Sequence, residues 1–263
     1  MRKILILVAL LFAYSNMQFV NASSPVEIKL TSENTISFNE AFSSMYIAKK
    51  QVEAINLCNK KSKSKDKDIY ITLYTPGGSI SAGKLFFDTL KGLSCNFHTI
   101  TIAAFSMGYQ TVQNLGTRYI LPSGVLMSHR ASVGGLRGEV YGELDSILNL
   151  IKKEVTELDV IASNRVGVSV KAYRNSISDE LWLTGKDAVN LNHADKIALP
   201  KCGKSLLGTY TKTVRTFFGN LQVEFSRCPL ITAPLRVIGS NRKAEKSFIK
   251  KFINIRNYAG YEL

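Results

Sequence analysis

Three short stretches carry groups suited to acyl transfer. A run that reads as a buried strand, HTITIAA at 98–104, gives way at Ser106 to Met107 and Gly108. TPGG at 75–78 follows a second apolar run, and His129 closes a third, VLMSH. A serine hydroxyl is a weak nucleophile until a base takes its proton, and the oxyanion formed on attack needs two fixed N–H donors. Glycine lets the backbone approach a substrate and present its N–H. A serine at a helix start leaves the next N–H, that of Met107, free to point at the same place. Of the three histidines, His98 opens a strand and His193 falls in a late turn, which leaves His129 at the correct end. The ordinary alternative is a serine that only caps a helix.

The flanking patterns supply a scaffold for these groups. FNEAFSSMYIAKKQVEAINLC has apolar residues at helical spacing, with Asn39 available as a cap. DIYITLY reads as a strand, SAGKLFFDTLKGL as a helix and MGYQTVQNL as a helix; RYILP and VLMSH read as two short strands. A long helix is expected from Glu139 to Ser163, with Val140, Leu144, Ile147, Leu148, Ile151, Val155, Leu158 and Ile161 on one stripe. Strand and helix in alternation predict an α/β fold with parallel pairing and right-handed crossovers. Functional groups in such sheets gather at the carboxyl ends of the strands, where TPGG, Ser106 and His129 all fall.

YTPGGSISAG, AAFSMG, LPSGVLMSH and the following Gly134-Gly135 resemble, in order and nearly in spacing, the proteolytic subunit of the Clp protease. More broadly they resemble the ClpP/crotonase fold, a spiral of βαβ units with a long handle helix, which also includes signal peptide peptidase A. DELWLTGKDAVNLNHADKI is similar to the closing helix and strand of that superfamily. The resemblance runs from about Val26 to Leu199. It implies Ser106 as nucleophile, His129 as base, the N–H groups of Gly78 and Met107 as oxyanion hole, and Gly77, Gly134 and Gly135 along the bound peptide. It also implies that the handle helix joins copies of the chain.

One position departs from the pattern. The third member of the family's triad is an aspartate, and here its place falls on Asn175 or Ser176, depending on where one residue is inserted. Asn175 could orient an imidazole through its amide; Asp179, one turn further, is another candidate. Losing that carboxylate can lower turnover about 10⁴-fold in a triad enzyme. A catalytically weak binding or scaffold protein on the same fold is therefore the second reading. An acyl-CoA enzyme of the crotonase type is the third, and it gives the Ser–His pair no role.

The N-terminus has a different purpose. Arg2 and Lys3 precede ILILVALLFAY, and VNA at 20–22 has small residues at the positions expected before a cleavage site. This is the pattern of a signal peptide over 1–22, and the apolar run is shorter than the roughly 20 residues of a membrane span. Export to a periplasmic or external compartment is expected. There the four cysteines would oxidise, and coenzyme A and ATP are not expected, so no ATPase partner is expected either. Cys58 and Cys95 precede neighbouring strands at the same end, and Cys202 and Cys228 share the C-terminal region. These pairings are favoured. No two cysteines have metal-ligand spacing, and hydrolysis by a Ser–His pair needs no cofactor.

Residues 23–200 form the expected protease domain, and 201–263 a basic extension. The extension holds twelve Lys or Arg against Glu224, Glu245 and Glu262, within a net charge of +14 for the chain. An anionic surface is a possible partner for it, and nothing in it is a nucleic-acid-binding module. The aromatics of RTFFGNLQVEF are expected in a small core or against a partner, and Trp182 against the sheet beside the closing helix. The expected function is a serine endopeptidase acting on peptide or unfolded protein as a homo-oligomer.

Overall fold

The computed structural model describes residues 24–134, 139, 141–238, 242–246 and 248. The expected signal peptide at 1–22 and Gly135 lie outside the described residues, as does Val140 of the helical stripe.

The architecture is α/β, built on a parallel sheet. The sheet is made of β1 (Val26–Leu30), β2 (Thr35–Phe38), β3 (Asp68–Thr75), β4 (Asn96–Phe105), β5 (Arg118–Ser128) and β7 (Lys196–Cys202) in the order β1-β7-β5-β4-β3-β2, all parallel. A short β6 (Leu181–Thr184) runs antiparallel to β5. Ile69, Ile71, Thr72, Leu73 and Thr75 of β3 are all buried, as expected of a strand with helices on both faces. The crossovers are α1 (Ser44–Lys60), α2 (Ile80–Lys91) and α3 (Met107–Asn114). α4 (Glu143–Val166), α5 (Val170–Ser176) and α6 (Gly185–Asn190) follow β5.

Three boundaries differ from the sequence reading, each for a local reason. The first helix starts at Ser44, capped by the Ser43 hydroxyl, and not at Asn39. Asn39 accepts the Tyr46 hydroxyl proton at 3.1 Å, and Phe42 is drawn into a parallel bridge with Gly78. RYILP and VLMSH are one strand, because a register shift between Thr101 and Ala103 of β4 absorbs the intervening residues. Along the other edge of β5, β7 covers Tyr119 and Ile120, and β6 covers Val125 to Ser128. The long helix ends at Val166, where Gly167 takes the left-handed conformation at φ 86°.

The cysteines pair as expected, Cys58 with Cys95 and Cys202 with Cys228. Trp182 lies on β6 and packs edge-on against Phe105, with ring centroids 5.2 Å apart. Beyond β7, β8 (Thr209–Thr216), β9 (Gly219–Ser226) and β10 (Pro234–Ile238) form a separate antiparallel sheet in the order β10-β9-β8. Leu221, Val223, Ala244 and Phe248 are its buried core, with Val214, Phe225 and Val237 against them. Lys212 ties this sheet to Glu40 of the main body at 3.0 Å.

Under α3 lies a buried polar network. His193 Nδ1 hydrogen-bonds the Tyr109 hydroxyl at 2.7 Å, and its carbonyl accepts from Gln113 Nε2. Burial, aided by the nearby Arg118 charge, lowers the imidazole to about 4. The unfolded chain takes up this proton below the ordinary value near 6.5, whereas the folded chain does so only near 4. Stability from the neutral imidazole is therefore complete above about 6.5 and falls as pH drops toward 4. Urea unfolding should show a loss of about 2 kcal/mol between about pH 7.5 and pH 5. His193→Gln should flatten that slope; an unchanged slope would refute the assignment.

Candidate active site

Ser106 sits between the last residue of β4 and the first of α3, with φ 54° and ψ −115°. A non-glycine residue held there is strained, and such strain persists only where surrounding structure enforces it. Two backbone bonds do so: its N–H donates to the Met127 carbonyl at 2.9 Å, and its carbonyl accepts the Gln110 N–H at 3.1 Å. The hydroxyl is not spent on capping, since it makes no bond to the helix it precedes. Capping alone therefore does not account for this serine.

The glycine loop is shaped around it. A Cβ on Gly77 would fall 2.6 Å from the Phe105 carbonyl and from Ser106 Cβ, so nothing larger fits without moving the elbow. Gly78, at φ 141°, has Phe42 backbone atoms 2.7 Å from where its Cβ would be. The bridge to Phe42 uses the Gly77 carbonyl at 2.8 Å and the Ser79 N–H at 2.9 Å. The Gly78 N–H takes no part in it. Met107 opens α3, so its N–H has no acceptor within the helix.

His129 follows the last residue of β5. Ser128 anchors that end through a 2.9 Å hydrogen bond to the Tyr173 hydroxyl, which also accepts from Gln110 Nε2 at 3.2 Å. Gly78, Ser106, Met107, Gln110, His129 and Asp159 line one cavity of about 90 Å³, closed on the handle-helix side by Val155 and Leu158. Nucleophile, base and both N–H donors thus meet at the carboxyl ends of β3, β4 and β5. Gly134 is exposed beyond Ser132, which also borders the cavity.

The three candidates for the third member lie elsewhere. Asn175, Ser176 and Asp179 are exposed at and beyond the end of α5, and none borders the cavity. The Ser176 hydroxyl donates to the Tyr173 carbonyl at 2.7 Å. The carboxylate on the cavity wall is Asp159 of α4, 6% exposed and held by Arg174 Nε at 2.7 Å. Sequence reasoning missed it. The available signal was an acidic residue one turn from Val155 and one from Ala162, within an otherwise apolar face.

A larger cavity of about 680 Å³ lies at the amino ends of the strands, with Lys91, His98, Arg118 and Arg165 on its walls. Its buried cation is engaged: Arg118 bonds Asp195, Gln113 and Asn192. It holds no nucleophile paired with a base. The elbow, the glycine loop and the histidine instead mark the smaller cavity as the candidate site. A model of the Clp protease family matches residues 21–201, which takes in every element from β1 to β7. The chain belongs to the Clp protease family.

Proposed function

We propose that the chain is an exported serine endopeptidase that cleaves peptide bonds through Ser106 with His129 as base. The convergence of Ser106, His129, Gly78 and Met107 on one cavity carries the reading. In the proposed reaction His129 takes the Ser106 proton as Oγ attacks the peptide carbonyl. The Gly78 and Met107 N–H groups stabilise the oxyanion, and the imidazolium returns its proton to the leaving amine. Water then hydrolyses the acyl-enzyme by the same proton route. Asp159 is assigned as the carboxylate that positions this histidine, in place of the family's aspartate.

Export is supported by the charged and apolar N-terminal segment and by the two disulfides. Outside the cytoplasm an ATP-driven unfoldase would lack fuel, so the proposed substrates are peptides and unfolded segments. Assembly of several copies through α4 is supported by Leu144, Ile147, Leu148, Ile151 and Val155, which stay only half-buried in the single chain. The second reading, a scaffold without activity, rests on the absence of a carboxylate at 175 and 176.

A fluorophosphonate probe on the mature protein separates the two. Wild type should be labelled and His129→Ala should not. Asp159→Asn should slow labelling about 10- to 100-fold and shift its pH dependence, while Ser176→Ala leaves both unchanged. Unlabelled wild type would favour the scaffold, and the reverse pattern for 159 and 176 would return the positioning role to Ser176.

A further inference from the structure

The hairpin of β8 and β9 ends in a turn that its own packing does not explain. Along the strands, alternate residues turn inward, with Val214, Leu221, Val223 and Phe225 on the module's core. The outward residues Thr211, Thr213, Arg215, Asn220 and Gln222 are polar and exposed. This is the alternation expected of a half-buried antiparallel sheet. At the tip it breaks: Phe217 is 93% exposed and Phe218 47% exposed. Their rings meet edge to face at 5.2 Å, so each covers only part of the other. A turn of this kind favours Asn, Asp or Gly. Two phenylalanines there contribute nothing to the fold that small polar residues would not.

The surroundings of the tip have one sign of charge. Nine Lys or Arg stand against Glu224 and Glu245 among the described residues of 201–248. Glu224 is paired with Arg236, and Arg215, two residues before the aromatic pair, is exposed. Bulky aromatic side chains at a protruding tip, ringed by cations, match the interface of an anionic bilayer. Rings settle at the boundary of headgroups and acyl chains, and cations meet the surface potential. Two side chains are far too little area for a stable contact between copies of the chain. Among the described residues no helix is long and apolar enough to cross a membrane, so such attachment would be peripheral.

We propose that the β8–β9 tip is a membrane-surface anchor, inserting Phe217 and Phe218 among anionic phospholipids with Arg215 and the neighbouring cations on the headgroups. The site of hydrolysis plays no part in this. Anchoring would hold the peptidase domain beside the bilayer.

Co-sedimentation of the mature, disulfide-bonded protein with lipid vesicles tests this. Vesicles of phosphatidylcholine containing phosphatidylglycerol should bind it, pure phosphatidylcholine far less, and added salt should release it. Phe217→Ser with Phe218→Ser should weaken binding about 30-fold or more, and Arg215→Ser about fivefold. Phe217→Trp with Phe218→Trp should keep binding and show blue-shifted emission on the vesicles. Equal binding to both vesicle types would overturn the proposal, as would a double serine variant that binds like wild type. Light scattering is the control. A double serine variant that loses mass in solution would make the tip a contact between copies and overturn the lipid assignment.

Discussion

Replacing Ser106 by alanine is expected to lower peptidase turnover about 10⁴-fold or more, with little change in peptide affinity. The loss is this large because nucleophile and base act as a unit: without Oγ, the His129 base has no proton to take. The N–H groups of Gly78 and Met107 remain, so a residue of catalysis by oxyanion stabilisation should persist. The substitution should spare the fold. The Ser106 hydroxyl makes no bond to its helix, and the backbone bonds to Met127 and Gln110 do not involve the side chain. Steady-state cleavage of an unstructured peptide by wild type and variant measures the ratio. Full activity in Ser106→Ala would exclude the assignment, and a probe adduct mapped to Ser132 would move the nucleophile to the neighbouring wall of the cavity.

The largest effect on stability is expected at the opposite end of β5. Arg118 has a side chain only 2% exposed, and its Nη2 lies 2.6 Å from Asp195 Oδ1. Nη1 donates to Gln113 at 2.7 Å, and Nη2 also reaches Asn192 at 3.1 Å. Burial works to raise the Asp195 carboxyl, but the bonds from Arg118 outweigh it and hold the group below its usual value. Arg118→Met removes the cation and leaves a carboxylate and a buried amide without their donor. A loss of about 3–5 kcal/mol is expected for breaking such a pair on one side. Urea unfolding at neutral pH measures it. Asp195→Asn in the same background should cost less than it does alone, because the two losses share one interaction. Activity per folded molecule should survive, since His129 is anchored at the far end of the strand by Ser128 and Tyr173. A loss below about 1 kcal/mol would mean that the pair contributes little beyond its own desolvation.

The legible part of the site was the part made by backbone. Ser106 and TPGG announce themselves because an apolar strand that stops at a serine, and a glycine pair after a strand, are local patterns with few other uses. The parallel sheet followed from alternation, and the disulfides from which ends of which elements carry cysteines. Asp159 was not legible in that way. It lies over fifty residues from the serine it faces, and its meaning depends on how α4 is rotated against the cavity. The single long β5 was hidden because Pro122 and Gly124 read as an interruption, whereas the shift on β4 accommodates them. Trp182 was placed near the right neighbours but on the wrong element, since a four-residue antiparallel strand leaves almost no periodicity to read. The extension shows the opposite case: its inward residues 221, 223 and 225 alternate plainly, and only the aromatic tip departs from the pattern.

The Cys202–Cys228 bridge also fixes how the molecule would carry a pulling force. Cys202 is the last residue of β7, paired with Leu30 of β1. Tension applied beyond residue 228 passes through the sulfurs into β7 and bypasses residues 203–227. The load then runs along the β1–β7 ladder from Leu30 to Val26 in shear, where several backbone bonds resist together. β8 and most of β9 lie inside the bypassed loop and feel no stretch along the chain. A protease cut anywhere within that loop would leave both pieces on one molecule, so the far terminus stays tethered to the sheet until the sulfurs are reduced.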